Sequence, residues 1–204
     1  KILDTDLLAF EARASGLRAT DLMQGPVYGH ASDAAAGDPA LMPHFHYDDI
    51  FGTVLNRFVT QAVAGVPLTV YGSGAQVRGY IDLNDTLRCI ELVSLDPPPP
   101  GELRIFNQFT ELFSIGELAA RVAAAGRAMG FEVTIGSVVN PRPEQEEHFY
   151  QPAHDGLRKL SFVPRRLGDA RLAEMIEFVA RHRAAIDPRR IMPRISWSGH
   201  EPAP

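Results

Sequence analysis

One stretch constrains the fold more than any other: Gly65 to Asp85, with the sequence GVPLTVYGSGAQVRGYIDLND. Its apolar and β-branched residues predict strands over Pro67–Tyr71 and Val77–Leu83, because such residues suit a pleated, half-buried surface. Gly72–Gly74 predicts a turn between the strands, since glycine tolerates the positive φ that tight turns require. Asp85 then begins a helix, so the stretch predicts an α/β fold.

Arg78 is the fixed cation that follows this turn. Its guanidinium is a planar fork of donors that matches two oxygens of one phosphate group. The spacing alone leaves two interpretations open, which are a phosphate contact and a surface ion pair of the common, weak kind.

Helices and strands are predicted to alternate along the rest of the chain as well. Helical spacing of apolar residues predicts helices, and alternating patterns predict strands. The predicted helices cover residues 1–15, 49–64, 85–95, 114–129 and 169–182, and further strands cover 17–23, 103–107 and 131–138. Ser114 and Glu117 have the spacing of a capping box, in which each residue satisfies a backbone N–H near the other.

The helical pattern also predicts which side chains face the core. Ile50 is expected to pack inward from the second helix, and Leu87 and Ile90 from the third. Asn56 and Arg57 interrupt the apolar face of the second helix, and we expect that part of the helix to be partly solvated.

Charge and composition argue against several classes of protein. The net charge of −5 disfavours a nucleic-acid partner. No apolar run approaches the roughly 18 residues of a membrane span, and no signal peptide is recognisable, so we expect no membrane partner and a cytoplasmic location. Cys89 is the single cysteine and is expected to be a packed thiol. Because the chain begins with Lys1 and not with Met, we expect a processed product, a fragment or an incomplete sequence.

Two local motifs have more than one interpretation. The loop 29–49 contains His44-x-His46 with Asp48 and Asp49 nearby, which could bind a metal ion, although a polar surface or lid loop is the simpler interpretation. Gly72-Ser73-Gly74 is the nearest match to a GxGxxG phosphate loop. It lacks the third glycine and links two strands, so we interpret it as a turn.

Five stretches of the chain resemble the extended short-chain dehydrogenase/reductase family, the NAD-dependent nucleotide-sugar epimerases and dehydratases. They are ATDLMQGPVYG (19–29), FGTVLNRFVTQAVAGVPLTVYGSGAQVRGYIDLNDTLRCIEL (51–92), RIFNQFTELFSIGELA (104–119), NPRPEQEEHFY (140–150) and IMPRISW (191–197). Within the family, NQFTE and the terminal IMPxxSW resemble the branch that makes the sulfolipid head-group donor.

The resemblance implies the C-terminal part of such an enzyme, namely the end of a Rossmann fold plus a small α/β substrate domain. Residues 1–29 would end the dinucleotide-binding domain. Residues 30–204 would form mainly the nucleotide-sugar domain, with 78–108 returning to the Rossmann sheet. Lys1 would be the lysine of the catalytic YxxxK motif and would also contact the cofactor. The tyrosine and the glycine-rich loop would lie upstream, so we expect no turnover by this chain alone.

The resemblance also implies binding residues. Arg78 and Arg142 would hold the diphosphate, and either Glu146 or Glu147 would accept a hydrogen bond from a ribose hydroxyl. Without the resemblance, residues 140–150 would be interpreted as a solvated charge run. The remaining implied contacts are Gln24, Thr53, Leu55, Asn56, Val70 and Tyr71 for the substrate, and Lys1, Gln24 and Pro26 for the NAD cofactor.

The reaction implied by the resemblance converts UDP-glucose and sulfite into a UDP-sulfosugar. NAD oxidises the C4 hydroxyl of glucose, the ketone acidifies C5, water is eliminated across C5–C6, sulfite adds at C6, and the hydride returns. The resemblance further implies a homodimer of the full-length enzyme, no metal, and the chloroplast stroma as the location in a plant or alga. Two alternatives remain open, which are a sister epimerase or dehydratase for another sugar and a non-catalytic UDP-sugar-binding fragment.

Overall fold

The computed structural model describes residues 2–35, 38–48, 50–140, 152–153 and 155–191. Within these ranges, helices and strands alternate along most of the chain. The α-helices are α1 (Ile2–Ser15), α2 (Val54–Ala64), α3 (Leu83–Leu95), α4 (Ile115–Ala128) and α5 (Asp169–Arg181). The strands are β1 (Ala19–Gln24), β2 (Val27–Tyr28), β3 (Leu68–Tyr71), β4 (Val77–Asp82), β5 (Leu103–Gln108), β6 (Glu111–Ser114) and β7 (Ile135–Val138).

The strands form three small sheets. β1 pairs with β5 in parallel, from Ala19 opposite Leu103 to Gln24 opposite Gln108. β4 lies between β2, which is parallel to it, and β6, which is antiparallel. β3 pairs with β7 in parallel. Parallel pairs joined through helices are typical of α/β folds, so the predicted fold class is confirmed.

The buried apolar side chains form two clusters. The larger cluster joins α2, α4 and α5 around residues such as Phe58, Leu118 and Met175, all of which are fully buried. The smaller cluster lies between α3 and β5 and includes Cys89 and Phe106. Burial raises the pKa of the Cys89 thiol to about 11, which keeps it protonated at neutral pH. The predicted packed thiol is therefore confirmed, while the predicted division into domains stays a prediction.

Helix α2 begins five residues later than predicted, and Ile50 does not face the core. The Asp48 side chain accepts hydrogen bonds from the backbone N–H groups of Ile50 and Phe51, both at 2.8 Å, which forms a separate turn. Thr53 then caps the helix, accepting from Asn56 N at 3.5 Å. Ile50 is 66% exposed in consequence, so the predicted inward packing of this residue is wrong.

Helix α3 begins two residues earlier than predicted. Asp82 caps it, with its side chain accepting from Asn84 N at 2.8 Å. The predicted core residues Leu87 and Ile90 are 44% and 47% exposed, so their predicted packing is wrong. The inward face carries Thr86 and Cys89 instead.

The other helix boundaries agree closely with the sequence. Ser114 Oγ accepts from Glu117 N at 3.1 Å, which confirms the first half of the predicted capping box. The strand predicted over 131–138 is shorter than expected and begins at Ile135. Arg127 Nη2 donates a hydrogen bond to the carbonyl oxygen of Val133 at 2.7 Å. This hydrogen bond competes with strand pairing. The short strands β2 and β6 were not predicted at all.

Helix α1 leaves an apolar face open. Ile2, Leu3, Leu7 and Phe10 are exposed, and Ala12 is the buried residue of the helix. Within the part of the chain that the structure describes, no helix combines the length and the hydropathy needed to cross a bilayer.

Candidate functional site

The carboxyl end of β1 meets β4 at two glycines. Gly25 N donates to Gln108 O at 3.0 Å, and Ile81 N donates to Pro26 O at 3.1 Å. A β-carbon on Gly25 would lie 2.4 Å from the carbonyl oxygen of Gly79, which is far inside van der Waals contact. The two backbones touch here because Gly25 has no side chain, while a β-carbon on Gly79 would instead meet the Phe109 ring at 2.5 Å. This contact brings exposed Gln24 and half-buried Pro26 beside the strand that carries Arg78.

Arg78 lies on β4, opposite Phe113 of β6, and is half-buried. Its Nη1 donates to the carbonyl oxygen of Val77 at 2.9 Å. Burial raises the pKa of nearby Tyr80, and the charges of Arg78 and Arg57 oppose that rise. Two guanidinium groups therefore lie within electrostatic range of one buried hydroxyl.

The turn after β3 packs closely against the start of α4. Gly74 has φ +74°, and a β-carbon there would lie 2.7 Å from Val70 Cγ1. Gly74 N donates to Tyr71 O at 3.2 Å, and Gly116 N donates to Gly74 O at 2.9 Å. The interpretation of Gly72–Gly74 as a turn between strands is confirmed. Val70 and Tyr71 are thereby held at the end of β3.

The first turn of α2 lies near the end of β3. Thr53 is its cap, and the side chain of Leu55 is fully buried, which leaves its backbone as the part able to meet a ligand. Asn56 is also buried, with Nδ2 donating to His46 O at 3.2 Å. Asn56 Oδ1 is buried without a hydrogen-bond partner among the described residues. A buried amide oxygen in this state favours a ligand or water donor nearby.

Arg57 is the functional candidate that the sequence reasoning missed. It was expected on a partly solvated face, but it is buried and only 8% exposed. Its Cζ lies 4.9 Å from the centre of the Tyr71 ring, and its Nη1 donates to Tyr71 OH at 3.4 Å. An arginine inside an otherwise apolar helical face was the available signal, because burying a charge requires compensating contacts.

A buried acidic network lies at the other end of β4. Asp82 is 1% exposed and accepts from Arg171 Nε at 2.8 Å. Asp85 accepts from Arg165 N at 2.8 Å, and Glu111 accepts from Leu167 N at 2.7 Å. Three carboxylates, from β4, α3 and β6, thus bond the start of α5 and the segment that leads into it.

Burial perturbs the titration of this network. Burial raises the pKa of Asp85 to about 6, and the Asp82 carboxylate adds to the rise, while the bond from Arg165 N opposes it. Burial also raises the pKa of Tyr28, whose hydroxyl donates to Glu111 Oε2 at 3.5 Å. These groups are bonded to one another, so the network is interpreted as structural.

We expect Asp85→Asn to flatten the dependence of stability on pH. The folded pKa of Asp85 lies above its ordinary value of 3.8, so its contribution is fully present below about pH 4 and is lost as the pH rises through 6. The unaltered chain should lose on the order of 2 kcal/mol more than the variant between pH 4 and pH 7. Urea unfolding at both pH values measures this difference, and equal losses would contradict it.

The loop from His30 to Asp48 packs on α5 through aromatic contacts. The His30 ring stacks on Phe178 with centroids 4.6 Å apart, and Phe45 contacts the same ring at 5.7 Å. Burial and the charge of Arg171 lower the pKa of His30. Among the residues described, no group of three metal-ligating side chains is arranged around a common point. The aromatic contacts hold this loop against α5, and its function as a polar surface or lid loop stays a prediction.

A shallow pocket of about 220 Å³ lies between the start of this loop and α5. Its lining pairs cationic Arg171 and Arg181 with acidic Asp33, Glu174 and Glu177, and it also includes His30. Arg171 is already bonded to Asp82 and Glu174. The carboxylates outnumber the guanidinium groups and do not favour an anionic ligand, so this pocket is not the candidate site.

Several predicted site residues lie outside the described ranges. They are Lys1, Arg142, Glu146 and Glu147. Of the others, Gln24, Pro26 and Arg78 flank the two glycines in contact, Tyr71 contacts Arg57, and Val70 lies beside Gly74. Their assignment to a ligand stays a prediction.

Sequence similarity relates this chain to known enzymes. No family model matches the chain. The chloroplastic UDP-sulfoquinovose synthase of spinach is 46% identical to it over 197 residues, which cover 97% of this chain and 41% of that enzyme. The UDP-sulfoquinovose synthase of Sulfolobus acidocaldarius is 39% identical over 199 residues, which cover 97% of this chain and 50% of that enzyme. The chain is a sequence relative of the UDP-sulfoquinovose synthases. It spans about half the length of these curated relatives, or less.

Solved structures support the same fold. The UDP-glucose 4-epimerase of Thermotoga maritima has a TM-score of 0.68 at 18% identity and covers 89% of this chain, which spans 52% of that enzyme. DesIV, the dTDP-glucose 4,6-dehydratase of Streptomyces venezuelae, has a TM-score of 0.61 at 21% identity, covering 90% of this chain and 50% of that enzyme. The predicted fold of an extended short-chain dehydrogenase is confirmed, and this relative of the synthases covers about half of it.

Proposed function

We propose that this chain carries the UDP-sugar-binding part of a UDP-sulfoquinovose synthase, which uses NAD to convert UDP-glucose and sulfite into UDP-sulfoquinovose. The observation that carries the proposal is the position of Arg78. The contact between Gly25 and Gly79 sets this cation beside the carboxyl end of β1, in a chain 46% identical to the spinach synthase. Ligands of open α/β sheets bind at the carboxyl ends of the strands.

Arg78 binds the diphosphate in this proposal, together with Arg142. The planar guanidinium gives charge-assisted hydrogen bonds to two phosphate oxygens, which a neutral residue cannot match. The wall of the proposed UDP site on the α2 side consists of Thr53, Asn56 and the backbone of Leu55.

The remaining contacts divide between the two ends of the ligand. Val70 and Tyr71 contact the nucleoside, and Glu146 or Glu147 accepts from a ribose hydroxyl. Gln24, exposed at the end of β1, faces the hexose.

The cofactor contacts proposed for the described residues are Gln24 and Pro26. They flank Gly25 at the end of β1, where its backbone lies against Gly79. NAD, when bound, supplies the hydride transfer. Lys1 lowers the pKa of an upstream tyrosine by its charge and so prepares it for proton transfer. A homodimer of the full-length enzyme, and the stroma in a plant or algal host, belong to the same proposal.

We expect Arg78→Ala to weaken UDP binding by about 1.5–3 kcal/mol, which is the usual effect of losing a hydrogen bond to a charged group. Isothermal titration of the 204-residue chain with UDP measures the change. Arg88→Ala is the matched control, because Arg88 is an exposed arginine that pairs with Glu91 on α3. A folded Arg78→Ala chain that binds UDP as tightly as the control would contradict the phosphate assignment.

A second candidate is a sister epimerase or dehydratase for a different sugar, because the fold is similar to that of a UDP-glucose 4-epimerase, with a TM-score of 0.68. Incubation of the full-length protein with UDP-glucose and NAD, with and without sulfite, separates the two. A product that requires sulfite supports the synthase. An epimerised or 4-keto product that forms without sulfite supports the sister enzyme. UDP binding without turnover under any condition supports a binding fragment.

A further inference from the structure

Arg57 is a buried cation on α2 whose guanidinium lies between two aromatic rings. Its Cζ is 4.9 Å from the centre of the Tyr71 ring and 5.7 Å from that of Phe58. Nη1 donates to Tyr71 OH at 3.4 Å, and Nη2 donates to Thr69 O at 3.5 Å. Burying a guanidinium is costly unless such contacts compensate it, so the arrangement requires both the charge and the planar shape.

Gln61, one turn further along α2, forms hydrogen bonds to the same strand, β3. Its Nε2 donates to Thr69 Oγ1 at 2.9 Å, and its Oε1 accepts from Thr69 N at 3.0 Å. Residues four apart on a helix share one face, and residues two apart on a strand share one face. Arg57 and Gln61 therefore form a pair that matches Tyr71 and Thr69, and α2 fixes this face of β3 at both points.

Tyr71 is the partly exposed partner of this buried cation. Arg57 is covered, while Tyr71 keeps part of its surface exposed. The Tyr71 backbone is held as well, since Gly74 N and Gln76 Nε2 donate to Tyr71 O at 3.2 and 3.4 Å. Both the ring and the backbone of Tyr71 are thus held in place at the end of β3.

We propose that Arg57 is a positioning residue, which fixes the Tyr71 ring as the wall that receives the base of a pyrimidine nucleoside diphosphate. The inference rests on the proposed function and adds a residue to it. A guanidinium can stack on a ring and donate two directed bonds at once, whereas a lysine ammonium supplies the charge without the plane. Arg57→Lys therefore separates ring positioning from simple attraction of phosphate.

The test compares UDP with inorganic pyrophosphate by titration calorimetry on the full chain. Pyrophosphate shares the diphosphate but lacks the base. For Arg57→Lys we expect UDP affinity to fall about tenfold, as for a lost charged hydrogen bond, and pyrophosphate affinity to change less than about twofold. Tyr71→Phe keeps the ring and loses one bond to Arg57, so UDP affinity should fall about threefold.

Arg121→Lys is the matched control. Arg121 Cζ also lies over an aromatic ring, 4.8 Å from the centre of Phe113, and its Nη1 donates to Leu167 O at 3.3 Å. This variant loses an equivalent stack that does not involve Tyr71, so its UDP affinity should stay unchanged. Melting temperatures of all variants report any general loss of stability.

The outcomes are distinct. UDP binding by Arg57→Lys at the unaltered affinity would overturn the inference, as would equal loss of UDP and pyrophosphate. If Arg57→Lys fails to fold, Tyr71→Phe decides, and undiminished UDP affinity in that variant overturns the inference. Absence of UDP binding by the unaltered chain would refute the proposed function itself and this inference with it.

Discussion

Replacing Arg171 with methionine is expected to lower the free energy of unfolding by about 3–5 kcal/mol, the usual result of removing one partner of a buried ion pair. Arg171 Nε bonds Asp82 Oδ2 at 2.8 Å, and the Asp82 side chain is 1% exposed. Methionine fills part of the volume but leaves the Asp82 carboxylate buried without its cation. Asp82 also caps α3, so it cannot turn towards solvent without uncapping that helix.

Urea unfolding followed by circular dichroism measures the loss. Arg88→Met serves as the control, because Arg88 and Glu91 form an exposed pair and such pairs contribute about 0.5 kcal/mol or less. Adding Asp82→Asn to Arg171→Met removes the uncompensated charge and should recover part of the stability. A loss below about 1 kcal/mol for Arg171→Met would show that Asp82 is solvated or protonated after the replacement, contrary to its burial.

Replacing Gly25 with alanine is expected to destabilise the fold by about 3 kcal/mol or more, at the upper end of overpacking. The added β-carbon would lie 2.4 Å from Gly79 O and 3.1 Å from Phe109 Cβ. Neither the carbonyl nor the buried Phe109 can move aside without shifting a strand. The same shift would carry Arg78 away from the end of β1, so UDP affinity should fall as well.

Gly136→Ala provides the control for this substitution. Gly136 lies on β7, and its nearest neighbour to an added β-carbon is Pro67 Cβ at 3.6 Å, which is an ordinary contact. That variant should keep both its stability and its UDP affinity. Gly25→Ala unfolding at the same urea concentration as Gly136→Ala would contradict the close approach of the two backbones.

Local signals in the sequence predicted local structure well. The turn at Gly72–Gly74 and the cap at Ser114 depend on neighbouring residues, and both lie where the pattern placed them. The predicted start of α2 was wrong because two helix-capping residues lie within five positions of each other. Asp48 closes one turn and Thr53 begins the helix, and the apolar spacing that included Ile50 cannot distinguish them.

The candidate site was predictable only where a family motif marked it. The resemblance drew attention to Arg78, but nothing in the sequence pairs Asp82 with Arg171, which is 89 positions away. Arg57 was misjudged for a related reason. Its partners Thr69 and Tyr71 belong to the following strand, and helical periodicity describes one helix without its neighbours.

Strand β4 carries Arg78 near one end and Asp82 at the other. Helix α5 cannot detach from the body of the protein without removing the cation from the buried Asp82 carboxylate, which also caps α3. Local opening of α5 therefore disturbs the strand on which Arg78 lies. We infer that β4, the start of α3 and α5 open as one cooperative unit. Helix α5 consequently helps to keep the strand that carries Arg78 in its shape.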